Sequence, residues 1–160
     1  MTEDRFPLQA DLWTLWVDGT ALPNPGKIGV GYVLRAPDGH ASSQSIPLGR
    51  NGCNNEAEMY ALCHGLEAAQ EAGARRLTVI SDSDFVVRHG RGEMQTRVLR
   101  LQSLLRAAGK LMAGFESVTL QWVPRHRNQE ADLLARSALG LPAKPVPQPK
   151  RRPGKRFRNK

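Results

Sequence analysis

The order of strand-like and helical segments is the feature that most constrains the fold. Three strand-like segments follow one another directly, and each later one is preceded by helical sequence. The predicted strands are 12–18, 28–35, 41–48, 76–81 and 116–123, and the predicted helices are 55–72, 83–90, 94–112 and 128–139. Strands joined by turns pair antiparallel, whereas strands joined through helical crossovers pair parallel. We therefore predict an α/β fold whose mixed five-stranded sheet has three antiparallel strands, then parallel crossovers, and is flanked by helices.

Local patterns support several of these segments. Pro37-Asp38-Gly39 lies between the second and third strands and predicts a hairpin. A helical face over 94–112 is predicted from apolar residues at steps of three and four, namely Met94, Val98, Leu101, Leu105, Ala108 and Met112. Three tryptophans fall on predicted strands and are expected in the core: Trp13, Trp16 and Trp122.

The net charge of +8 lies entirely at the end of the chain. Residues 141–160 hold eight of the 23 Lys/Arg residues and no acid, so residues 1–140 carry 15 basic and 15 acidic residues. The same tail holds five of the 11 prolines, which exclude a helix or a central strand. We predict an N-terminal extension over 1–11, a folded domain over 12–140 and a disordered, Pro-rich basic tail over 141–160. The tail is expected to contact nucleic-acid phosphates, with a solubilising or localisation role as the alternative.

Composition excludes several classes of protein. A hydrophobic fraction of 40% is sufficient for a core. No apolar run could cross a bilayer, and the acidic N-terminus with Pro7 is unlike a secretory signal. Cys53 and Cys63 are too few for a disulfide framework or a zinc cage. We expect a reduced, cytoplasmic protein with no membrane partner, and a monomer.

Four acids attract attention, although each has a purely structural interpretation. Asp18-Gly19 is also an ordinary turn at the end of a strand. Glu58 stands three residues after Asn55 and would complete a capping box. Asp82 would serve as the N-cap of the helix after the fourth strand, and Asp132 suits the first turn of the last helix.

Taken together, the four acids predict a metal site. If the first and fourth strands are parallel neighbours, Asp18 and Asp82 emerge at one edge of the sheet, and helix starts can bring Glu58 and Asp132 there. Clustered carboxylates raise one another's pKa unless cations neutralise them. Oxygen-only ligation suits Mg²⁺ or Mn²⁺, and two such ions promote phosphodiester cleavage.

From Leu12 to Leu139 the sequence resembles the ribonuclease H type 1 family. The motifs that carry the resemblance are, in order, Asp18-Gly19 with Asn24-Pro25-Gly26, Asn54-Asn55-Glu56-Ala57-Glu58, Ser81-Asp82-Ser83, and Trp122-Val123-Pro124 with Asn128 and Ala131-Asp132-Leu133-Leu134-Ala135. The resemblance implies a metal-dependent endonuclease that hydrolyses the RNA strand of RNA–DNA hybrids and leaves 5′-phosphate ends. It also implies that Mg²⁺ or Mn²⁺, two ions with substrate bound, is held by Asp18, Glu58, Asp82 and Asp132.

Two of these acids are selected by the family's spacing. The family's acid stands three places after the second Asn, which selects Glu58 over Glu56. The strand-end acid precedes Ser, which selects Asp82 over Asp84.

The resemblance also suggests substrate contacts. It puts Asn24, Asn54 and Asn55 near the RNA strand, although turn formation and helix capping would also explain these residues. His126 lies where related enzymes carry a histidine that aids proton transfer or product release, with an ordinary surface residue as the alternative. Cys53 stands where a threonine is common, and a thiol is a poorer hydrogen-bonding group than a hydroxyl.

The segment between Asp82 and Trp122 departs from well-known bacterial members. It has room for only two helices, so the family's extra basic protrusion is predicted to be absent. Its basic residues form either a solvated helix face or a contact to the DNA strand: Arg88, Arg91, Arg97, Arg100, Arg106 and Lys110.

Two other functions compete with the ribonuclease. DNA transposases and junction resolvases share this carboxylate architecture, but the Asn-Asn-x-x-Glu segment disfavours them. A non-catalytic nucleic-acid-binding module would suit the basic tail, but it has no need of four retained acids.

Overall fold

The computed structural model describes residues 10–142 and contains one five-stranded sheet with the strand order β3-β2-β1-β4-β5. The strands are β1 Leu12–Leu22, β2 Gly26–Arg35, β3 Ala41–Gly52, β4 Arg76–Ser81 and β5 Ser117–Trp122. β1 and β3 pair antiparallel with β2, whereas β4 pairs parallel with both β1 and β5. The predicted mixed sheet is confirmed.

Four helices complete the described part of the chain. They are α1 Asn54–Glu71, α2 Asp84–Gly90, α3 Leu99–Ala113 and α4 Gln129–Ala138, with a 3₁₀ turn at Arg125–Arg127 before α4. Only α2 and α3 lie between β4 and β5, as predicted for a chain without the extra protrusion.

The central strand β1 is covered on both faces. Leu15 and Val17 are buried against α1, where a Cβ on Gly65 would come within 2.9–3.0 Å of their side chains. Side chains alternate between the two faces of a strand, so Asp18 and its partner Gly31 on β2 face the other way. That face is covered by α4, whose Ala131 carbonyl oxygen would lie 2.5 Å from a Cβ on Gly31.

Two predicted strand ends are wrong. β1 continues to Leu22, and Asp18 therefore lies inside a strand, paired with Gly31, rather than in an Asp-Gly turn. β3 likewise continues to Gly52. Packing explains the longer β1, because Asp18, Gly19 and Ala21 are buried between the two helix layers and remain in the sheet.

The predicted helix over 94–112 begins later, at Leu99. Thr96 holds the preceding segment in a different conformation: its hydroxyl accepts from the Val98 amide at 3.2 Å, and its carbonyl accepts from the Gln102 side chain at 2.8 Å. Met94 and Val98 therefore lie outside the helix and are 45% and 38% exposed. The apolar spacing predicted a helix that includes Thr96, but the hydrogen bonds of Thr96 keep this segment out of the helix.

The tryptophans divide between core and surface. Trp13 packs against the core, and Trp16 is half-buried. The expectation that Trp122 lies in the core is wrong. This residue ends an edge strand and is 49% exposed.

The ends of the chain are only partly described. The predicted N-terminal extension is described from residue 10 and the predicted tail only to residue 142, so the expected disorder of the tail lies outside the described residues. No helix within 10–142 is both long and apolar enough to span a bilayer.

The close packing of α4 on the sheet predicts opposite effects for two glycine substitutions. Gly31→Ala should destabilise the fold by about 1–3 kcal/mol, because the new methyl group would meet the backbone of α4 and force a shift. Gly109→Ala is the matched control: no atom lies within 4 Å of the new methyl group, and alanine should stabilise α3 by up to ~1 kcal/mol. Urea unfolding of both variants measures the difference, and equal stabilities would contradict the described packing.

Candidate active site

Three carboxylates meet where the parallel pairing of β1 with β4 ends. Asp18 comes from β1, Asp82 directly follows β4, and Glu58 comes from α1. One carboxylate oxygen from each lies within 4.8 Å of the others. The structure thus brings together three of the four predicted acids.

The start of α1 separates the roles of two glutamates. The N-cap is Cys53, whose Sγ accepts from the Glu56 amide at 3.4 Å while the Glu56 carboxylate accepts from the Cys53 amide at 3.2 Å. Arg100 Nε also donates to this carboxylate, at 2.7 Å. The capping box predicted from Asn55 and Glu58 is therefore wrong. Glu58 turns toward the sheet and accepts from the Gly19 amide at 3.2 Å.

The start of α2 separates two aspartates in the same way. The N-cap is Ser83 rather than Asp82, and the Ser83 hydroxyl accepts from the Val86 amide at 3.2 Å. Asp84 forms a surface ion pair with Arg88 at 3.0 Å. Asp82 is consequently free to face Asp18 and Glu58.

Asn128 fixes the start of α4 against the sheet. Its side chain is 2% exposed and does not cap the helix. Instead, Nδ2 donates to the carbonyl of Val17, the residue before Asp18, at 2.9 Å. Asp132, one turn further along α4, lies outside the group of three acids but close enough to raise the pKa of Asp18.

The electrostatics of the cluster are unfavourable in the absence of a cation. Burial, followed by the charges of Glu58 and Asp82, raises the pKa of Asp18 well above its usual value. Burial and the charge of Asp82 raise the pKa of Glu58 to about 8. Burial also raises the pKa of Asp82. Such shifts are typical of carboxylates that share a site.

Sequence reasoning missed Arg125, the residue within 10–142 that forms an ion pair with the cluster. Its Nε lies 3.8 Å from Asp82 Oδ2, and its charge lowers the pKa of Asp82 and Glu58 against the larger effect of burial. His126 is the next residue in the 3₁₀ turn and is exposed. The sequence does show an arginine in the loop directly before the last helix. The direction of its side chain, however, depends on how short the 3₁₀ turn is.

Trp122 is a second residue at this edge that the sequence did not assign to the site. Its indole Nε1 donates to the backbone carbonyl of Asp82 at 3.2 Å. The exposed ring therefore lies beside the carboxylate cluster.

Two predicted substrate-contact residues link the β1–β2 turn to α1. Asn24 Oδ1 accepts from the Asn54 amide at 3.1 Å, and Asn54 Oδ1 accepts from the Ala21 amide at 2.9 Å. These bonds use the oxygens and leave both side-chain amide nitrogens without a partner among the described residues. Asn55 is exposed in the first turn of α1. All three asparagines lie toward the sheet edge that holds the acids.

The cluster fits a divalent metal ion by its donor set. It offers three carboxylate oxygens at close quarters, with no histidine or cysteine in the group. Oxygen donors of this kind suit a hard cation, and because the pKa values of all three acids are raised, a bound cation would favour their ionised forms. Asp18, Glu58 and Asp82 form a candidate metal site.

Comparison with known proteins agrees with this geometry. The profile of the family described as reverse transcriptase-like matches residues 16–138. Ribonuclease HI of Halobacterium salinarum is 34% identical over 124 residues, which are 78% of this chain and 62% of that protein. The chain belongs to the ribonuclease H type 1 family. It spans less than two thirds of the length of this relative.

Solved ribonuclease H structures share the fold. The crystal structure of RNase H1 from Halobacterium salinarum NRC-1 has a TM-score of 0.77 at 33% identity and covers 81% of this chain and 98% of its own. The structure of LC11-RNase H1 in complex with an RNA/DNA hybrid has a TM-score of 0.70 at 27% identity and covers 80% and 96%.

The raised pKa values predict how this ribonuclease H domain responds to pH without metal. Folded Glu58 keeps its proton to about pH 8, whereas an unfolded glutamate loses it near 4.5. The folded state therefore binds more protons in this window, and stability should fall as pH rises through it. Glu58→Gln should make that decline shallower, as measured by urea unfolding in EDTA at several pH values.

Glu56→Gln is the control for this measurement. Hydrogen bonds to Arg100 and Cys53 hold the pKa of Glu56 below its usual value, so its titration falls below the window. This variant should retain the decline of the unsubstituted protein. The same slope in Glu58→Gln would contradict the assignment.

Proposed function

We propose that this protein is a metal-dependent endoribonuclease that hydrolyses the RNA strand of RNA–DNA hybrids and leaves 5′-phosphate ends. The observation that carries the proposal is the cluster of Asp18, Glu58 and Asp82 at the edge of a ribonuclease H sheet. Membership of the family supports the reaction, and the hybrid bound to LC11-RNase H1 supports the substrate.

In this proposal Asp18, Glu58, Asp82 and Asp132 hold Mg²⁺ or Mn²⁺, with two ions when substrate is bound. Such ions activate water and stabilise a leaving oxygen in phosphodiester cleavage. The chain's contribution is to fix the donors. Glu58 is oriented by the Gly19 amide, and Asp132 is oriented by the attachment of α4 to Val17 through Asn128.

Recognition of the RNA strand is proposed to fall to Asn24, Asn54 and Asn55. A protein distinguishes RNA from DNA through the ribose 2′-hydroxyl, which both donates and accepts hydrogen bonds. The amide nitrogens of Asn24 and Asn54, which have no partner within residues 10–142, are available to donate to such a group, while their oxygens keep the turn and the helix start in place. His126 is retained as an auxiliary residue, because it is exposed in the turn that also carries Arg125.

The proposal extends to a monomer that works in the cytoplasm. Cys53 and Cys63 are both free thiols, as expected in a reducing compartment.

A substrate panel with two matched variants tests the reaction. Asp82→Asn should lower Mg²⁺-dependent cleavage of an RNA–DNA hybrid by more than the ~10–100-fold typical of outer-shell changes at metal sites. Asp84→Asn removes the same charge two residues away, from a surface ion pair, and should retain activity. The panel is completed by matched double-stranded RNA and double-stranded DNA.

The outcomes of the panel are distinct. Absence of hybrid cleavage by the unsubstituted protein with either metal would refute the proposed function. Preference for the DNA duplex would instead indicate a DNA nuclease on the same fold. Full activity of Asp82→Asn would remove this residue from the site.

We propose further that the basic tail strengthens hybrid binding. Pro142 accepts from Arg136 Nε at 2.7 Å and completes the end of α4, so deletion of residues 143–160 removes all eight tail charges and spares this hydrogen bond. The α4 end packs against Gly29, which pairs with Thr20 toward the active-site end of β1. The tail therefore starts on that side of the sheet.

Deletion of 143–160 should weaken hybrid binding and leave cleavage at saturating substrate intact. For every phosphate that the tail no longer neutralises, the slope of log affinity against log salt should fall by roughly 0.7–0.9. Titration of a fluorescent hybrid at several salt concentrations measures this slope. An unchanged affinity and slope would assign the tail to solubility or localisation.

A further inference from the structure

A groove of about 210 Å³ lies on the α4 face of the sheet, beside the carboxylate cluster. It is lined chiefly by Trp16, Arg35, Arg127, Asn128, Gln129 and Glu130. Trp16 and Asp18 are two residues apart on β1, so they share a face and are separated by about 7 Å along the strand. The groove therefore lies on the same face of the sheet as Asp18, displaced from it along β1.

Two arginines in the groove have no acidic partner. Arg35 and Arg127 are exposed, and neither lies within 4.0 Å of a carboxylate among residues 10–142. The ion pairs of that region use Arg76, Arg88, Arg91, Arg100 and Arg125 instead. The guanidinium of Arg35 is held 4.8 Å from the centre of the Trp16 ring, which orients it at little cost to its hydrogen-bonding capacity.

The start of α4 adds backbone donors to the same groove. A helix leaves its first amides without intrahelical partners, and the N-cap side chain usually accepts one of them. Here the Asn128 side chain is drawn to Val17 instead, and the first helical bond of α4 is from Asp132 to the Asn128 carbonyl. The amides of Gln129, Glu130 and Ala131 are thus left uncapped by Asn128 at the groove.

The groove has a polar lining with an excess of positive charge. Asn128 is almost fully buried at the groove, where its Nδ2 donates to Val17; its Oδ1 has no partner within the described residues and, as an acceptor, does not contribute to the attraction of a phosphate. Glu130 is the acid among the lining residues and opposes part of the positive charge. Two guanidinium groups and a helix N-terminus outweigh this single exposed carboxylate.

We propose that the groove is a phosphate subsite for the substrate strand, outside the cleavage position. Guanidinium groups and free helix-start amides are the donors that proteins use for phosphate. Successive charges of one strand are separated by about 3.4 Å along the duplex axis, so a phosphate in the groove belongs about one to two nucleotides from the scissile one. This proposal rests on the proposed function, because it assumes that a nucleic-acid strand passes over Asp18.

The first test is the salt dependence of hybrid binding by Arg35→Gln, Arg127→Gln and the double variant. Binding of a fluorescent RNA–DNA hybrid in EDTA, without cleavage, should weaken, and the salt slope of the double variant should fall by about 0.7–0.9, the change expected for the loss of one phosphate contact. With Mg²⁺, KM should rise while kcat changes little. If Arg35→Gln lowers the thermal midpoint of unfolding, because the guanidinium no longer packs on the Trp16 ring, the single variant Arg127→Gln is used for the test.

Arg75→Gln is the matched control. Arg75 is exposed and also lacks a carboxylate within 4.0 Å in the described range, but it precedes β4 at the end of the sheet opposite to Asp82. The control removes one positive charge, as each single variant does. Its salt slope should therefore match that of the unsubstituted protein.

The second test locates the phosphate. A single neutral methylphosphonate linkage is moved along the hybrid near the cleavage position. Neutralisation of the contacted phosphate should weaken binding by the unsubstituted protein and should have no effect on the double variant. The same weakening in both proteins at every position, or a double-variant salt slope equal to that of Arg75→Gln, would overturn the subsite.

The subsite and the proposed function fail in different ways. An unsubstituted protein that neither binds nor cleaves the hybrid would refute both. Metal-dependent hybrid cleavage with no difference between the double variant and Arg75→Gln would refute the subsite alone.

Discussion

The parallel pairing of β1 with β4 is the constraint on which the rest of this molecule depends. The pairing runs to Trp16 and Ile80, and each chain segment reaches an aspartate two residues later. Because the two aspartates stand at equal distances beyond the last parallel pair, the register of β1 and β4 places Asp18 and Asp82 side by side. The helices on the two faces of β1 then supply Glu58 from one side and Asp132 from the other. The position of the site is thus a property of the sheet topology rather than of any loop.

Local capping decides which acids are available to the site. At the starts of α1 and α2, residues other than the site acid satisfy the backbone of the helix. Cys53 and Glu56 cap α1, and Ser83 caps α2. Glu58 and Asp82 are thereby left with raised pKa values and little to neutralise them except Arg125. The clustered acids are electrostatically unfavourable and are not needed to cap the helices, because other residues do so. A functional role explains their presence.

The sequence predicted the order of elements along the chain, the mixed pairing of the sheet and the number of helices, because turn residues and apolar periodicity are local properties. It failed where tertiary contacts override local preference. Asp18-Gly19 is typical of a turn, but two helix layers bury it within β1. Trp122 is typical of a core residue, but its strand lies at the edge of the sheet and its ring is exposed. The direction of Arg125 could not be predicted, because it depends on a three-residue turn whose geometry is set by both flanking elements.

Residues 1–140 have no formal net charge, but their acidic and basic side chains are concentrated at different places. The carboxylate cluster repels the phosphates of a nucleic-acid strand, and the single guanidinium of Arg125 does not balance three acids. Affinity for a polyanion therefore depends on cations in the cluster and on positive charge outside it. Arg35 and Arg127 provide such charge on the face that Asp18 shares, without the paired carboxylates that occupy several other arginines. Attraction beside the cluster and cation-dependent neutralisation within it are separable, so substrate can be held by one set of residues and cleaved by another.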